Sequence, residues 1–154
     1  MIKPNLIKGY KEWFSRWTPP IEENVFSYIS YNINPKDLLI LSNLFFPEYL
    51  IKDRILFIKD TYNNEIHEGL LKEKEYNFKE IQKAMNTIII YDLFAGFSGD
   101  GNSEDIYLDV GKTIKFFWEV YFNHKYPDIK VVINLIDDEN NYGPIIEIYQ
   151  NFLF

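Results

Sequence analysis

The sequence predicts an α+β fold, with a mostly antiparallel sheet of about four strands, helices packed on one face of it, and a C-terminal β-hairpin. Several segments repeat apolar residues at spacings of three and four, which is typical of helices that pack by one face. Short runs rich in Ile, Val, Phe and Tyr alternate with these segments and favour strands. The last two runs flank a loop of turn-forming residues, as in a hairpin.

The chain length favours one domain over residues 1–154. The sequence has 154 residues, of which 47% are hydrophobic and 25% charged. These are ordinary values for a globular protein, and they argue against long disordered stretches. No repeat, low-complexity tract or linker divides the chain.

The first third contains helical patterns. Aromatic residues at positions 10, 13, 14 and 17 predict a helix over residues 10–17, which Pro19 and Pro20 would end. Residues 25–33 alternate like a strand, and an irregular or helical form is the alternative. Asn34 and Pro35 are a good N-cap and first helical residue, so a further helix is expected from there to Pro47.

The middle of the chain predicts two strands and two helices. Residues 54–59 are short, apolar and β-prone, which predicts a strand. Residues 62–73 have a weak helical pattern. Asn77 and Glu80 have the spacing of a capping box, so a helix should run from Asn77 to about residue 85. Residues 87–94 are almost unbroken in their apolar character, which predicts a central strand buried on both faces.

The longest helix and the hairpin come last. A glycine-rich loop over residues 95–102 precedes Ser103, a good N-cap, and a helix ending at Lys125. Residues 129–136 and 145–150 are predicted strands, and residues 137–144 would join them.

Negative charge is concentrated late in the chain. The net charge is −7, yet residues 1–98 carry 13 acids and 12 bases, whereas residues 99–154 carry 10 acids and 4 bases. Such a field repels nucleic acid and anionic lipid and attracts basic partners. The sequence therefore predicts a basic protein partner, without binding to nucleic acid or membrane.

Recognisable catalytic and metal-binding patterns are absent from the sequence. There is no cysteine, and the two histidines, His67 and His124, are too few for a zinc site. No nucleophile elbow, zincin motif or dinucleotide fingerprint occurs. We therefore predict a protein that is not an enzyme and has no catalytic residues, metal or cofactor. The absence of a signal-like start and of a long apolar run predicts a cytoplasmic location.

Two acidic loops are the candidate partner-binding site. In the first, Asp100, Asn102, Glu104 and Asp105 could offer oxygens to Ca²⁺, but the EF-hand pattern is not met. A phosphate site and a plain glycine turn are the other interpretations. The second, residues 137–139, is either a solvated turn or a recognition loop. We expect the acids to gather on one exposed surface with a tyrosine between them. The predicted partner-binding residues are Asp100, Glu104, Asp105, Asp137, Asp138, Glu139 and Tyr142.

The aromatic group of Trp13, Phe14 and Trp17 admits two interpretations. It either docks an N-terminal helix on the core or forms an exposed patch that makes a homodimer. The protein is accordingly expected to be a monomer or a homodimer.

Three features late in the chain resemble the immunity proteins of bacterial toxin systems. They are the aromatic helix around Phe116, Phe117 and Trp118, the strand over residues 130–135, and the acidic loop that precedes residues 142–148. The resemblance implies a cytoplasmic protein that binds a cognate toxin and blocks its active site. The function predicted is thus an acidic protein-binding module, an immunity protein against a basic toxin. The alternative is an enzyme or small-ligand-binding protein of an unrecognised class.

Overall fold

The computed structural model describes residues 3–7, 9–97, 104–138 and 140–151. Contacts group the chain into two compact units, Met1–Ser42 and Asn43–Phe154. The expectation of a single domain over residues 1–154 stays a prediction. The α+β class and the antiparallel pairing of the strands are confirmed.

The first unit is helical and rich in stacked aromatic rings. It contains α1 (Tyr10–Ser15) and α2 (Val25–Asn32), and the ambiguous segment is therefore a helix. The Asn24 side chain explains this outcome, because it accepts a hydrogen bond from the Ser27 amide and caps α2. Phe14 is buried, and the part-exposed Trp13 packs against Trp17 and against rings of α2. The cluster is thus partly core and partly accessible.

The helix α3 (Pro35–Phe45) runs from the first unit into the second. Among the described residues, the second unit continues with five strands and three further α-helices. In chain order they are β1 (Tyr49–Lys52), β2 (Ile55–Ile58), α4 (Asn64–Glu73), α5 (Phe78–Met85), β3 (Ile88–Ile89), α6 (Glu104–Lys125), β4 (Val131–Ile136) and β5 (Ile145–Gln150).

The strands form two sheets, which corrects the prediction of one sheet of about four strands. β1 and β2 make an antiparallel pair, and the second sheet has the order β3-β5-β4. The predicted hairpin is present as the antiparallel pair β4 and β5, but β5 is also flanked by β3. The prediction of a central strand over residues 87–94 was wrong. β3 lies at an edge of the sheet and is two residues long. It is short because the chain turns at Ile90, whose amide bonds to Pro144 of the β4–β5 loop.

The strand buried on both faces is β2. Leu56 and Ile58 belong to one hydrophobic cluster with Trp118 and Phe122 of α6, whereas Ile55 and Phe57 belong to another with residues of α5. Helices therefore cover both faces of β2, and the prediction of helices on one face is corrected.

A layer of side-chain amides joins the two sheets. The backbone N–H and C=O groups of Leu56 and Ile58 point away from β1. Those of Ile148 and Gln150 point away from β4. Gln82 of α5 and Asn86, the C-cap residue of α5, lie between them. Asn86 donates to the carbonyls of Leu56 and Ile148 and accepts from the Ile58 amide. Gln82 donates to the Leu56 carbonyl and accepts from the Gln150 amide. The amides thus replace a strand-to-strand ladder.

The helix α6 lies over the second sheet and sets the position of the site described next. Ile114, Trp118 and Phe122 are buried against β4 and β5, and the Trp118 indole donates to the Leu44 carbonyl at 2.8 Å. A methyl group at Gly111 would lie 2.8 Å from a Leu135 side-chain carbon, so glycine allows close approach of helix and sheet.

Candidate functional site

An open cleft of about 470 Å³ lies at one end of α6. Its walls come from the first two turns of α6, from the loop between β4 and β5, and from Tyr91, which lies two residues after β3. The lining residues are Tyr91, Glu104, Asp105, Leu108, Asp137, Asp138, Asn141, Tyr142, Gly143 and Pro144. Four of them are carboxylic acids, and the described lining contains no lysine or arginine.

The helix supplies one pair of acids to the cleft. Glu104 and Asp105 occupy the first turn of α6, where the partial positive charge of a helix N-terminus favours carboxylates. Both side chains are exposed. Neither forms an ion pair within the described part of the chain. Their charges therefore remain available to a partner.

The loop between β4 and β5 supplies the second pair. The Asp138 carboxylate accepts hydrogen bonds from the Asn140 backbone amide at 2.9 Å and from the Asn140 side chain at 2.7 Å. These bonds stabilise the charged form and hold the pKa of Asp138 below its usual value. Asp137 and Asp138 are both exposed, and no lysine or arginine among the described residues pairs with them.

Tyrosines form the less polar wall. The Tyr91 ring lies 5.5 Å from the Tyr142 ring and 4.6 Å from the Tyr107 ring, both in edge-to-face contact. Desolvation, followed by the nearby charges of Glu104 and Asp137, raises the pKa of Tyr91, so its hydroxyl stays protonated. Tyr142 is 71% exposed and can contact an arriving molecule.

Gly143 lets the loop close against this wall. Its φ of +106° is a conformation that other residues rarely adopt, and a Cβ there would lie 2.7 Å from the Tyr91 ring. The Ile90 amide donates to the Pro144 carbonyl at 2.9 Å, which ties the loop to the chain beside Tyr91. These two contacts hold the tyrosine and the acidic loop together.

Protein-family models, curated proteins and solved structures yield no significant match to this chain. The geometry of the cleft is therefore the basis for any function.

Five of the seven residues singled out from the sequence line this cleft. They are Glu104, Asp105, Asp137, Asp138 and Tyr142. Asp100 and Glu139 lie outside the described residues. The sequence interpretation missed Tyr91, because it placed this residue inside a central strand, whereas the strand ends at Ile89. No local pattern marks Tyr91, because its place in the cleft depends on contacts with Tyr142 and Gly143, which lie about fifty residues later in the chain.

The remaining titratable candidates lie elsewhere. His67 is buried in α4, and His124 is exposed in the last turn of α6. No group of three or more histidine, aspartate or glutamate residues in the described ranges could hold a metal ion. Asp100 and Asn102 of the calcium interpretation lie beyond those ranges. Within them, no helix has the length and apolar character needed to cross a bilayer.

Proposed function

We propose that this chain is an acidic protein-binding module that holds a cationic segment of a partner protein in its cleft. The observation that carries the proposal is the convergence of four exposed carboxylates, from two elements far apart in sequence, around a wall of tyrosines. Lysine or arginine side chains of a partner would find opposite charges and aromatic faces together.

The physics of association favours a protein partner over a simple ion. Unpaired carboxylates on an exposed surface accelerate the encounter with a basic protein, and they do so with a strong dependence on salt. An aromatic side chain such as Tyr142 supplies contact area at small entropic cost. Charge therefore increases the association rate, and contacts with the tyrosines decrease the dissociation rate.

An immunity protein against a basic toxin is the specific form of this proposal. Basic nucleases bind phosphates through lysine and arginine, and a cluster of carboxylates can occupy the same side chains. The resemblance of the late helix, strand and acidic loop to immunity proteins supports this form.

The test uses the product of the gene next to the one that encodes this chain. We expect the two proteins to bind, and co-expression to restore the growth of cells in which that product is toxic. Neutralising the cleft with Glu104→Gln, Asp105→Asn, Asp137→Asn and Asp138→Asn should slow association at least about tenfold at low salt and weaken its salt dependence.

A matched control removes four negative charges elsewhere in the second unit. Asp53→Asn, Asp60→Asn, Glu65→Gln and Glu75→Gln alter exposed acids that do not line the cleft. We expect association to slow less than about threefold, because charge away from the contact acts weakly through screening solvent. Equal slowing by both sets of substitutions would rule out the cleft as the binding surface.

The alternative is a site for a small cationic ligand. The volume of the cleft falls within the range of ligand pockets, which favours this reading. However, most ligand pockets have predominantly apolar walls, whereas four of the ten residues that line this cleft are exposed acids. A thermal-shift screen with divalent metals and polyamines separates the two. A rise in melting temperature with one of these compounds, abolished by the cleft substitutions, would favour the small-ligand function.

A further inference from the structure

The strand β4 presents an apolar edge that no described strand pairs with. It lies at the end of the sheet order β3-β5-β4 and contains Val, Val, Ile, Asn, Leu and Ile. Proteins usually protect such edges with a charge, a proline or a bulge within the strand. Residues 131–136 have no charged residue and no proline, and their register with β5 continues without a bulge.

The hydrogen-bond pattern identifies the groups at that edge. The Asn151 amide donates to the Lys130 carbonyl, and Val131 lies opposite Gln150. Because hydrogen-bonded and non-bonded pairs alternate in an antiparallel ladder, the even-numbered residues of β4 bond to β5. The amides and carbonyls of Val131, Ile133 and Leu135 consequently point away from β5, towards the free edge.

An antiparallel pair of two β4 strands can satisfy these groups in one register that also matches the side chains. Only odd-numbered residues can bond to odd-numbered residues across the edge, which restricts the registers. In the register that pairs Ile133 with Leu135, Val132 faces Ile136 and Asn134 faces its own copy. Continued one residue before β4 and two residues after it, the same register brings Lys130 of each copy near Asp138 of the other. Shifting the strands by two residues places Lys130 opposite Ile136 and loses the ion pair.

We infer that β4 is the interface of a homodimer, in which two copies join edge to edge into a continuous six-stranded sheet. The interface is isologous, because each chain contributes the same strand and the same two opposite charges. Lys130 is exposed and has no ion pair within the described ranges, and both hydrogen bonds from Asn140 reach the same Asp138 oxygen. The inference concerns self-association and does not require the proposed function, but it shares Asp138 with the cleft, so it is tested on the chain alone, without a partner protein.

Sedimentation velocity of the full chain between about 1 µM and about 1 mM tests the inference. The mass should rise from 18.5 kDa towards twice that value as concentration increases. Lys130→Glu should raise the dimer dissociation constant about tenfold, because it places like charges together at two symmetric positions. Lys130→Glu combined with Asp138→Lys should restore it. Lys72→Glu is the matched control, since it makes the same charge change at an exposed position of α4, and should alter the constant less than about threefold.

Amide hydrogen exchange measured by NMR provides an internal check. In the dimer, the amides of Val131, Ile133 and Leu135 should become protected as concentration rises. The amides of Val132, Asn134 and Ile136 bond to β5 and should be protected at every concentration, also in the Lys130→Glu variant. A mass of 18.5 kDa throughout the range would overturn the inference. So would a dimer that is indifferent to Lys130→Glu, or rapid exchange of the odd-numbered amides where the dimer dominates.

Discussion

Two buried side-chain atoms of the second unit, the Tyr49 hydroxyl and Nε2 of His67, have no hydrogen-bond partner among the described residues. A buried polar atom without a partner costs about 1–3 kcal/mol of stability. Both side chains lie among aromatic rings, where the Tyr49 ring is 4.4 Å from Phe122 and the His67 ring is 4.9 Å from Phe57. Packing of the rings therefore offsets the cost of the polar atoms.

We expect Tyr49→Phe to stabilise the protein by about 1 kcal/mol, because it keeps the ring and removes the unpaired hydroxyl. The measurement is the free energy of unfolding in urea. Tyr121→Phe is the matched control, since the Tyr121 hydroxyl accepts a hydrogen bond from Lys125 at 2.6 Å. That variant should be neutral or slightly less stable. A loss of stability in Tyr49→Phe would mean that the hydroxyl has a partner, such as a buried water.

His67 predicts a dependence of stability on pH. Desolvation, followed by the charge of Lys52, lowers the pKa of His67 below its unfolded value of about 6.5. As pH falls, the unfolded chain therefore binds the proton before the folded chain does. The stability from this residue is complete above about pH 6.5 and is lost as pH falls towards the folded-state pKa.

We expect the free energy of unfolding of His67→Phe to fall less than that of the unmodified chain when the pH is lowered from about 7.5 to about 5. The difference should reach up to about 1.4 kcal/mol per pH unit between the folded and unfolded pKa values of His67. Urea unfolding at the two pH values measures the difference. His124→Gln serves as the control, because His124 is exposed, and it should follow the unmodified chain. An unchanged pH dependence in His67→Phe would contradict the assignment.

At the level of secondary-structure elements, the side-chain amides of α5 and its C-cap residue are the link between the two sheets. Asn86 and Gln82 are fully buried and satisfy backbone groups of β2 and β5 that have no strand partner. Their loss would leave several buried backbone groups unpaired at once. The link therefore depends on hydrogen bonding as well as on the apolar contacts around it.

We expect Asn86→Ala to lower the free energy of unfolding by about 3–5 kcal/mol, since it leaves the Ile58 amide and the Ile148 carbonyl without their partner, whereas the Leu56 carbonyl keeps its bond from Gln82. Asn64→Ala removes an amide of the same type whose hydrogen bond to Glu68 is exposed. Its cost should be below about 1 kcal/mol. The measurement is chemical denaturation followed by circular dichroism, and a similar cost for the two variants would show that the amide layer contributes little.

Several elements could be predicted from local sequence, and others could not. Asn34 with Pro35, Asn77 with Glu80, and the long apolar stripe correctly indicated α3, α5 and α6. β1 was missed because its hairpin turn uses Asp53 and Arg54 at positive φ, where the usual signal is Asn-Gly or Asp-Gly. The strand predicted over residues 87–94 is only two residues long. Apolar residues after it, such as Ile90 and Phe94, pack in the hydrophobic core without pairing as a strand.

At the scale of the whole molecule, the two units differ in burial and charge. Phe14 is the one buried side chain among the described residues of Met1–Ser42, whereas Asn43–Phe154 contains two hydrophobic clusters. The first unit carries five bases and four acids, and the second carries eleven bases and nineteen acids. The excess negative charge and the larger core thus belong to the same unit.

We expect hydrogen exchange followed by mass spectrometry to separate the units. Amides of α2 should exchange much faster than those of β2, β5 and α6, because little apolar area holds the first unit closed. The helix α3 is an internal comparison, since it begins in the first unit and ends in the second. Equal protection of α2 and α6 would indicate that both units open together.

Local sequence was sufficient to predict the fold class, most helix starts, the pairing of the last two strands and the location of the negative charge. Those features depend on caps, periodicity and composition, which act over a few residues. Tertiary structure alone decided that β2 is the doubly buried strand, that amides join the sheets, and that Tyr91 meets both acidic segments. Each of these features depends on contacts between residues far apart in the chain. The local sequence around the residues that make these contacts does not distinguish them from other apolar or amide residues.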